Sequence, residues 1–187
     1  PYLANYGHEV RYHSGIFQSI TTRALAAMGF VCNVVPGDVP TAIWNTSTLG
    51  KVFDLPLSLC GTSSHSPSTM DGLKIMDYEG SQFLISDIEA LIAIKKAIVK
   101  YIKENGSFTF TLSPEDDPRI TDQLYKSTHN GMAVYKEYQE HTAADELVLS
   151  LIKTLDPSKV HIDCMHGSAH RTLKTFFREM GLEKITD

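Results

Sequence analysis

The sequence predicts an α/β fold in which a layered sheet is flanked by helices. Short apolar or β-branched runs alternate with stretches of helical period. Gly and Pro punctuate the boundaries between them. Read in order, the first hundred residues give helix, strand, helix, strand, loop, strand, helix.

The segment Gly7-His8-Glu9-Val10-Arg11-Tyr12-His13-Ser14 is read as a polar loop before the first helix. Ser14 suits an N-cap, Ile16, Phe17, Ile20, Ala24, Leu25 and Met28 form an apolar face, and Gly29 suits the C′ position. Residues 30–35 are β-branched and end at Pro36-Gly37, as a strand does. Residues 39–44 open a second helix, with Pro40 in its first turn. The apolar run at residues 55–60 is a strand, and residues 73–76 are another. Ser86-Asp87-Ile88-Glu89 reads as a capping box, with Ser86 as N-cap. Ile88, Leu91, Ile92, Lys95, Ile98, Val99 and Ile102 then recur at helical spacing up to Asn105-Gly106.

From Ser107 to about Asn130 that regularity fails, and Asp, Pro, Thr and Ser predict an inter-domain connection or surface excursion. A helix is expected from about Met132 to Leu155, with Leu147, Val148, Leu151, Ile152 and Leu155 inward and Pro157 as its stop. Residues 159–164 read as a strand, His166-Gly167-Ser168 as a tight loop, and residues 171–180 as a helix ended by Gly181. The expected division is therefore residues 1–130 as one α/β domain and 131–187 as a connecting helix plus the start of a second.

Composition excludes several classes. A net charge of −5 with no basic run argues against nucleic acid, and no stretch reaches membrane-spanning length. Cys32, Cys60 and Cys164 lie far apart and read as reduced, buried thiols of a cytoplasmic protein. A start at Pro1 and an end at Asp187, just past a helix, predict a fragment.

Chemistry is expected in the stretch Gly61-Thr62-Ser63-Ser64-His65-Ser66-Pro67, continuing to Asp71-Gly72-Leu73-Lys74. Between two strands it places hydroxyls, a His and a Lys, which suits presentation to an anion. Serine hydrolysis fits poorly, because no G-x-S-x-G elbow is present. The Gly and Lys spacing is wrong for a Walker loop. A serine that carries a phosphoryl group fits best, since that chemistry needs a positioned oxygen and cations about a dianion.

These residues also carry a resemblance. Thr62-Ser63-Ser64-His65-Ser66-Pro67 resembles the T-A-S-H-N-P signature of the α-D-phosphohexomutases, the phosphoglucomutase and phosphomannomutase family. Asp71-Gly72-Leu73-Lys74 follows where that family has N-G-[IVFY]-K. Gly7-His8-Glu9-Val10-Arg11 with Ser14 resembles the loop before the family's first helix, Val39-Pro40-Thr41 its V-P-T-P turn, and residues 160–167 the strand and turn opening its second domain. Ser66, Ser63, Asp71, Glu9 and Ala42 depart from the residues usual at their positions.

The resemblance implies a layered mixed sheet flanked by helices, followed by the first strand–helix unit of a second similar domain. It implies interconversion of hexose 1-phosphate and hexose 6-phosphate through a phosphoserine and a hexose 1,6-bisphosphate. Ser64 would be the phosphoserine, Lys74 would assist proton transfer, Arg11 would hold the phosphoryl region, and His65 is the motif histidine. One Mg²⁺ would bind the Ser64 phosphate, with its other ligands beyond Asp187, so the chain alone is expected to be inactive. The departures keep a second reading open, a non-catalytic paralogue with a binding or structural role. The sugar and the oligomeric state are left open. A zinc site at His161, Cys164, His166 and His170 is disfavoured, because a strand, turn and helix would scatter them. Cys60 and the group Tyr125, Tyr135 and Tyr138 are read as packing.

Overall fold

A computed structural model describes residues 2–36, 39–142 and 146–180. Its central strand is one that the sequence signal hid. β1 (Tyr2–His8) takes in residues to which no element is assigned from the sequence and the first two residues of the segment read as a polar loop. It is buried on both faces from Ala4 onward, so it shows no polar–apolar alternation. Asn5 and Gly7 further mask it as a strand.

β1 leads into α1 (Ser14–Ala27) and β2 (Phe30–Val34), then α2 (Ile43–Val52) and β3 (Leu57–Gly61). β4 (Leu73–Met76), α3 (Ile85–Asn105) and β5 (Ile120–Thr121) complete a five-stranded sheet of order β4-β3-β1-β2-β5. β1 runs parallel to both β2 and β3, with His8 opposite Gly61, and β5 is parallel to β2. β4 alone is antiparallel, pairing Gly61 with Leu73 and Cys60 with Lys74. The sheet is mixed and flanked by helices, as expected.

Several local expectations are corrected. α1 does not bury Ile16, Phe17, Ile20 and Met28, which are exposed; its buried residues are Ser14, Thr22 and Ala26. Small side chains let that helix lie close to the sheet, which a search for large apolar residues overlooks. Ser14 is the first helical residue rather than the cap, and its Oγ donates to the Glu9 carbonyl at 2.9 Å. α2 starts at Ile43, past Pro40, and β3 is shifted to Leu57–Gly61. The cap of α3 is Leu84 rather than Ser86, and the reaching-back carboxylate is that of Asp87, which accepts from the Leu84 N–H at 2.9 Å. α3 keeps its expected period but buries none of its residues. Gly29 and Gly106 have left-handed backbones at φ +95° and +81°, as helix-ending glycines do.

Within the stretch expected as an inter-domain connection or surface excursion, Ile120–Thr121 form β5 of the sheet, while Phe108 and Phe110 are exposed. The Ser113 N–H donates to the Arg23 carbonyl at 3.1 Å, and Arg23 Nε returns a bond to the Ser113 carbonyl at 2.7 Å. The Arg119 carbonyl accepts from the Cys32 N–H at 2.7 Å, which starts β5. Asp117 receives both Nε and Nη2 of Arg119, which holds its carboxyl well below the usual range. A two-residue strand is too short to leave a periodic trace. α4 (Gln123–Ser127) then buries Tyr125, which packs with Val35 and Leu49 in the core, so that tyrosine is packing as expected.

The single long helix expected after Met132 is two, α5 (Met132–Thr142) and α6 (Glu146–Lys153). Leu147, Leu151 and Leu155 are exposed rather than inward. A short 3₁₀ turn (Pro157–Lys159) precedes residues 160–164, which form no strand, and α7 (Ala169–Glu179) follows. Val160 and Ile162 have strand propensity, but a strand exists only where a neighbour takes its backbone bonds. No such neighbour pairs with them among the described residues. Cys164 is half-buried, whereas Cys32 and Cys60 are buried. Pro1, Gly37, Gly181 and Asp187, and the Val148 and Arg171 side chains, lie outside what is described. Trp44 packs on Tyr135 with ring centroids 4.1 Å apart, and Tyr135 meets Phe176 at 5.3 Å, joining α2, α5 and α7.

Polar side chains line the buried face between α2 and β1. Asn5 Nδ2 donates to the Thr46 carbonyl at 3.1 Å, and Asn45, Thr46 and Thr48 are buried on α2. Gly7 permits this approach, because a Cβ there would collide with Thr46 Oγ1. Gly7→Ala is expected to destabilise the fold by about 1–3 kcal/mol through overpacking. Adding Thr46→Ala should recover part of that loss. Urea unfolding of both variants checks this, and a Gly7→Ala midpoint equal to wild type would contradict it.

Candidate functional site

Parallel pairing of β1 and β3 sets the site. Because His8 lies opposite Gly61, the chain leaves both strands at the same edge of the sheet. The segment 9–13 therefore runs beside the loop 62–72, and the Glu9 N–H donates to the Gly61 carbonyl at 3.0 Å. On the far side the loop returns through Gly72, whose carbonyl accepts from the Thr62 N–H at 2.9 Å. Glycine is required there, since a Cβ would sit 2.6 Å from the Thr62 carbonyl oxygen.

Ser64 is exposed at the turn of this loop, with a left-handed backbone at φ +52°. Such a conformation is uncommon in a residue with a Cβ and must be held by its surroundings. Two contacts hold it. The Ser64 N–H donates to Thr62 Oγ1 at 3.1 Å, and Thr62 in turn donates its hydroxyl proton to the Glu9 carboxylate. Arg11 supplies the rest through its guanidinium. Nη1 donates to the carbonyls of Ser66 at 2.6 Å and Pro67 at 3.0 Å, and Nη2 to the carbonyl of Ser64. The backbone of segment 9–13 is itself braced by Ser14, whose Oγ also accepts from the Arg11 N–H at 3.2 Å.

Arg11 and Ser64, singled out from the sequence, are thus joined, with the arginine fork on the loop's backbone rather than on the serine hydroxyl. His65 lies beside Ser64 and is exposed. Lys74 stands on β4, half-buried and opposite Cys60. The Cys60 thiol is pushed up to about 12, chiefly by burial and then by the negative charge of Glu9, with Lys74 opposing. It is a packing residue and not a nucleophile. Sequence reasoning missed Glu9, Thr62, His13 and Asp71 as holders of the loop. The signal available was alternation, for Glu9, Arg11 and His13 are each two residues apart.

Among the described residues no group of three or more His, Cys, Asp or Glu is placed to hold a metal ion. The carboxylates nearest the loop are each engaged, Glu9 by Thr62 and Asp71 by His13, and hard divalent cations need several oxygen donors. These residues do not by themselves form a Mg²⁺ site. No helix among them is long and apolar enough to cross a membrane.

Comparison with known proteins gives the loop its context. No protein-family profile matches the chain. It is 27% identical over 180 residues to the phosphomannomutase of Mycoplasma pneumoniae, covering 95% of this chain and 29% of that protein. To the phosphoglucosamine mutase of Chlamydia abortus it is 25% identical over 181 residues, covering 96% and 34% respectively. Its fold matches a crystal structure described as a putative phosphomannomutase from Thermus thermophilus, with a TM-score of 0.64 at 21% identity over 97% of this chain and 35% of that one. That match shows the chain's α/β fold to be shared with the solved structure. In sequence the chain is similar to phosphomannomutases and phosphoglucosamine mutases over nearly its whole length. It spans about a third of the length of the curated relatives it matches.

Proposed function

We propose that Ser64 is the phosphoryl carrier of a phosphohexomutase that interconverts hexose 1-phosphate and hexose 6-phosphate. The observation that carries this reading is an exposed serine in a left-handed backbone, fixed by Arg11 on three loop carbonyls and by Thr62 on its N–H. A phosphoryl donor needs its oxygen positioned before the acceptor arrives, and this loop is built rigidly around one.

In the proposed reaction a hydroxyl oxygen of the hexose phosphate attacks the phosphorus of phosphoserine. The bond from phosphorus to Ser64 Oγ breaks, and the hydroxyl proton, taken up by a base, is delivered to Ser64 Oγ as it leaves. Lys74, on the strand that ends the loop, is the residue proposed for that proton. Hexose 1,6-bisphosphate results, and its other phosphoryl group returns to Ser64 by the reverse step. The exposed His65 beside Ser64 is proposed to contact the phosphoryl oxygens. Mg²⁺ is proposed as the cofactor, and from the described residues it would take only the Ser64 phosphate.

Two departures from the family pattern support catalysis over a non-catalytic role. Glu9, in place of Asp, still reaches Thr62, and Asp71, in place of Asn, has found a partner in His13. A loop released from function has no reason to keep such contacts. The test is intact-mass measurement on the complete gene product after incubation with hexose 1,6-bisphosphate and Mg²⁺. A gain of one phosphate, mapped to the peptide holding Ser64, is expected. No gain, or phosphate on another residue, sinks the reading.

A further inference from the structure

His13 stands immediately before α1, and its ring nitrogen Nδ1 is 3.1 Å from Asp71 Oδ2 on the return arm of the loop. A carboxylate only accepts, so Nδ1 carries the proton in this bond. The Asp71 side chain is 10% exposed against 44% for His13. A carboxylate withdrawn that far from water needs a donor, and His13 supplies it. The imidazole is itself confined by edge contacts with the rings of Tyr12 and Phe17, at 4.7 and 6.4 Å between centroids. Segment 9–13 thus grips the loop in three places: Glu9 at Thr62, Arg11 at residues 64–67, and His13 at Asp71. The first two hold the outgoing arm and the apex. The third holds the arm that leads into β4 and Lys74.

We propose that His13 and Asp71 are a positioning pair for phosphoryl transfer, closing the loop's return arm against the start of α1. The assignment rests on the Ser64 carrier reading for its catalytic consequence. The pair touches no substrate; it acts by keeping the arm between Ser64 and Lys74 in one conformation. Since the two residues do this jointly, losing either one removes the whole effect.

The test uses the complete gene product and the variants His13→Ala, Asp71→Ala, the double variant and Asp71→Asn. Turnover of hexose 1-phosphate primed with hexose 1,6-bisphosphate is measured beside amide hydrogen exchange of residues 62–72. Each alanine variant is expected to lower kcat about tenfold with KM changed less than about twofold, and the double variant to fall no further. Asp71→Asn keeps an acceptor and should retain most of kcat. Exchange in the loop should rise equally in both single variants and in the double. Unchanged kcat, a loss confined to KM, or multiplied losses in the double variant would overturn the assignment. If the wild type turns over no hexose phosphate, or Ser64→Ala is as active as wild type, the carrier reading fails. Exchange then decides the pair by itself: equal, non-additive acceleration supports the clasp, and unaltered exchange removes it.

Discussion

Ser64→Ala is expected to abolish hexose phosphate interconversion and phosphate incorporation together, while leaving thermal stability close to wild type. The two parts of this result have separate physical grounds. Activity disappears because alanine has no oxygen to bear the phosphoryl group, and no rearrangement of the loop replaces it. Stability survives because the Ser64 side chain is exposed. The bonds that shape the loop use its backbone N–H and carbonyl, which alanine retains. The left-handed conformation at φ +52° asks the same of alanine as of serine. Coupled-assay rates, intact mass and a melting curve on one preparation check all three. Residual turnover near wild type would mean that another residue carries the phosphoryl group.

The loop was legible in the sequence because its chemistry is written in residue types at fixed spacing. The fold around it was legible only where burial is one-sided. α3 shows its helical period although it buries nothing, since period is a property of the chain and not of its packing. β1 was invisible for the opposite reason. Buried on both faces, it replaces alternation with small and polar residues, and Asn5 and Gly7 belong to a close approach to α2 that no local window contains. The strand expected at residues 159–164 fails in a third way, since β propensity states what a segment pairs well as, not that a neighbour is present.

The same limit applied to the site. Ser64, Arg11, His65 and Lys74 could be proposed from the sequence, but the contacts around them could not. Glu9, Thr62, His13 and Asp71 act across separations of more than fifty residues, which parallel pairing of β1 and β3 brings together. Once that register is known, Glu9, Arg11 and His13 are seen to reach the loop at three separate points.

Arg11 is where this geometry makes its sharpest demand. A guanidinium that serves only as a positive charge near a phosphate is largely replaced by lysine. One that bridges the carbonyls of Ser64, Ser66 and Pro67 is not, because an ammonium offers no rigid planar fork. Arg11→Ala is therefore expected to lower kcat by on the order of 10²-fold, the scale set by misplacing a reacting group by about 1 Å. Arg11→Lys should stay within about tenfold of the alanine variant, despite its restored charge. Both should melt near wild type, since the hydrogen bonds they remove lie in an exposed loop, and both should show faster amide exchange across residues 62–72. Recovery of most activity by Arg11→Lys, with exchange unchanged in either variant, would assign Arg11 to the phosphoryl charge instead of the loop's backbone.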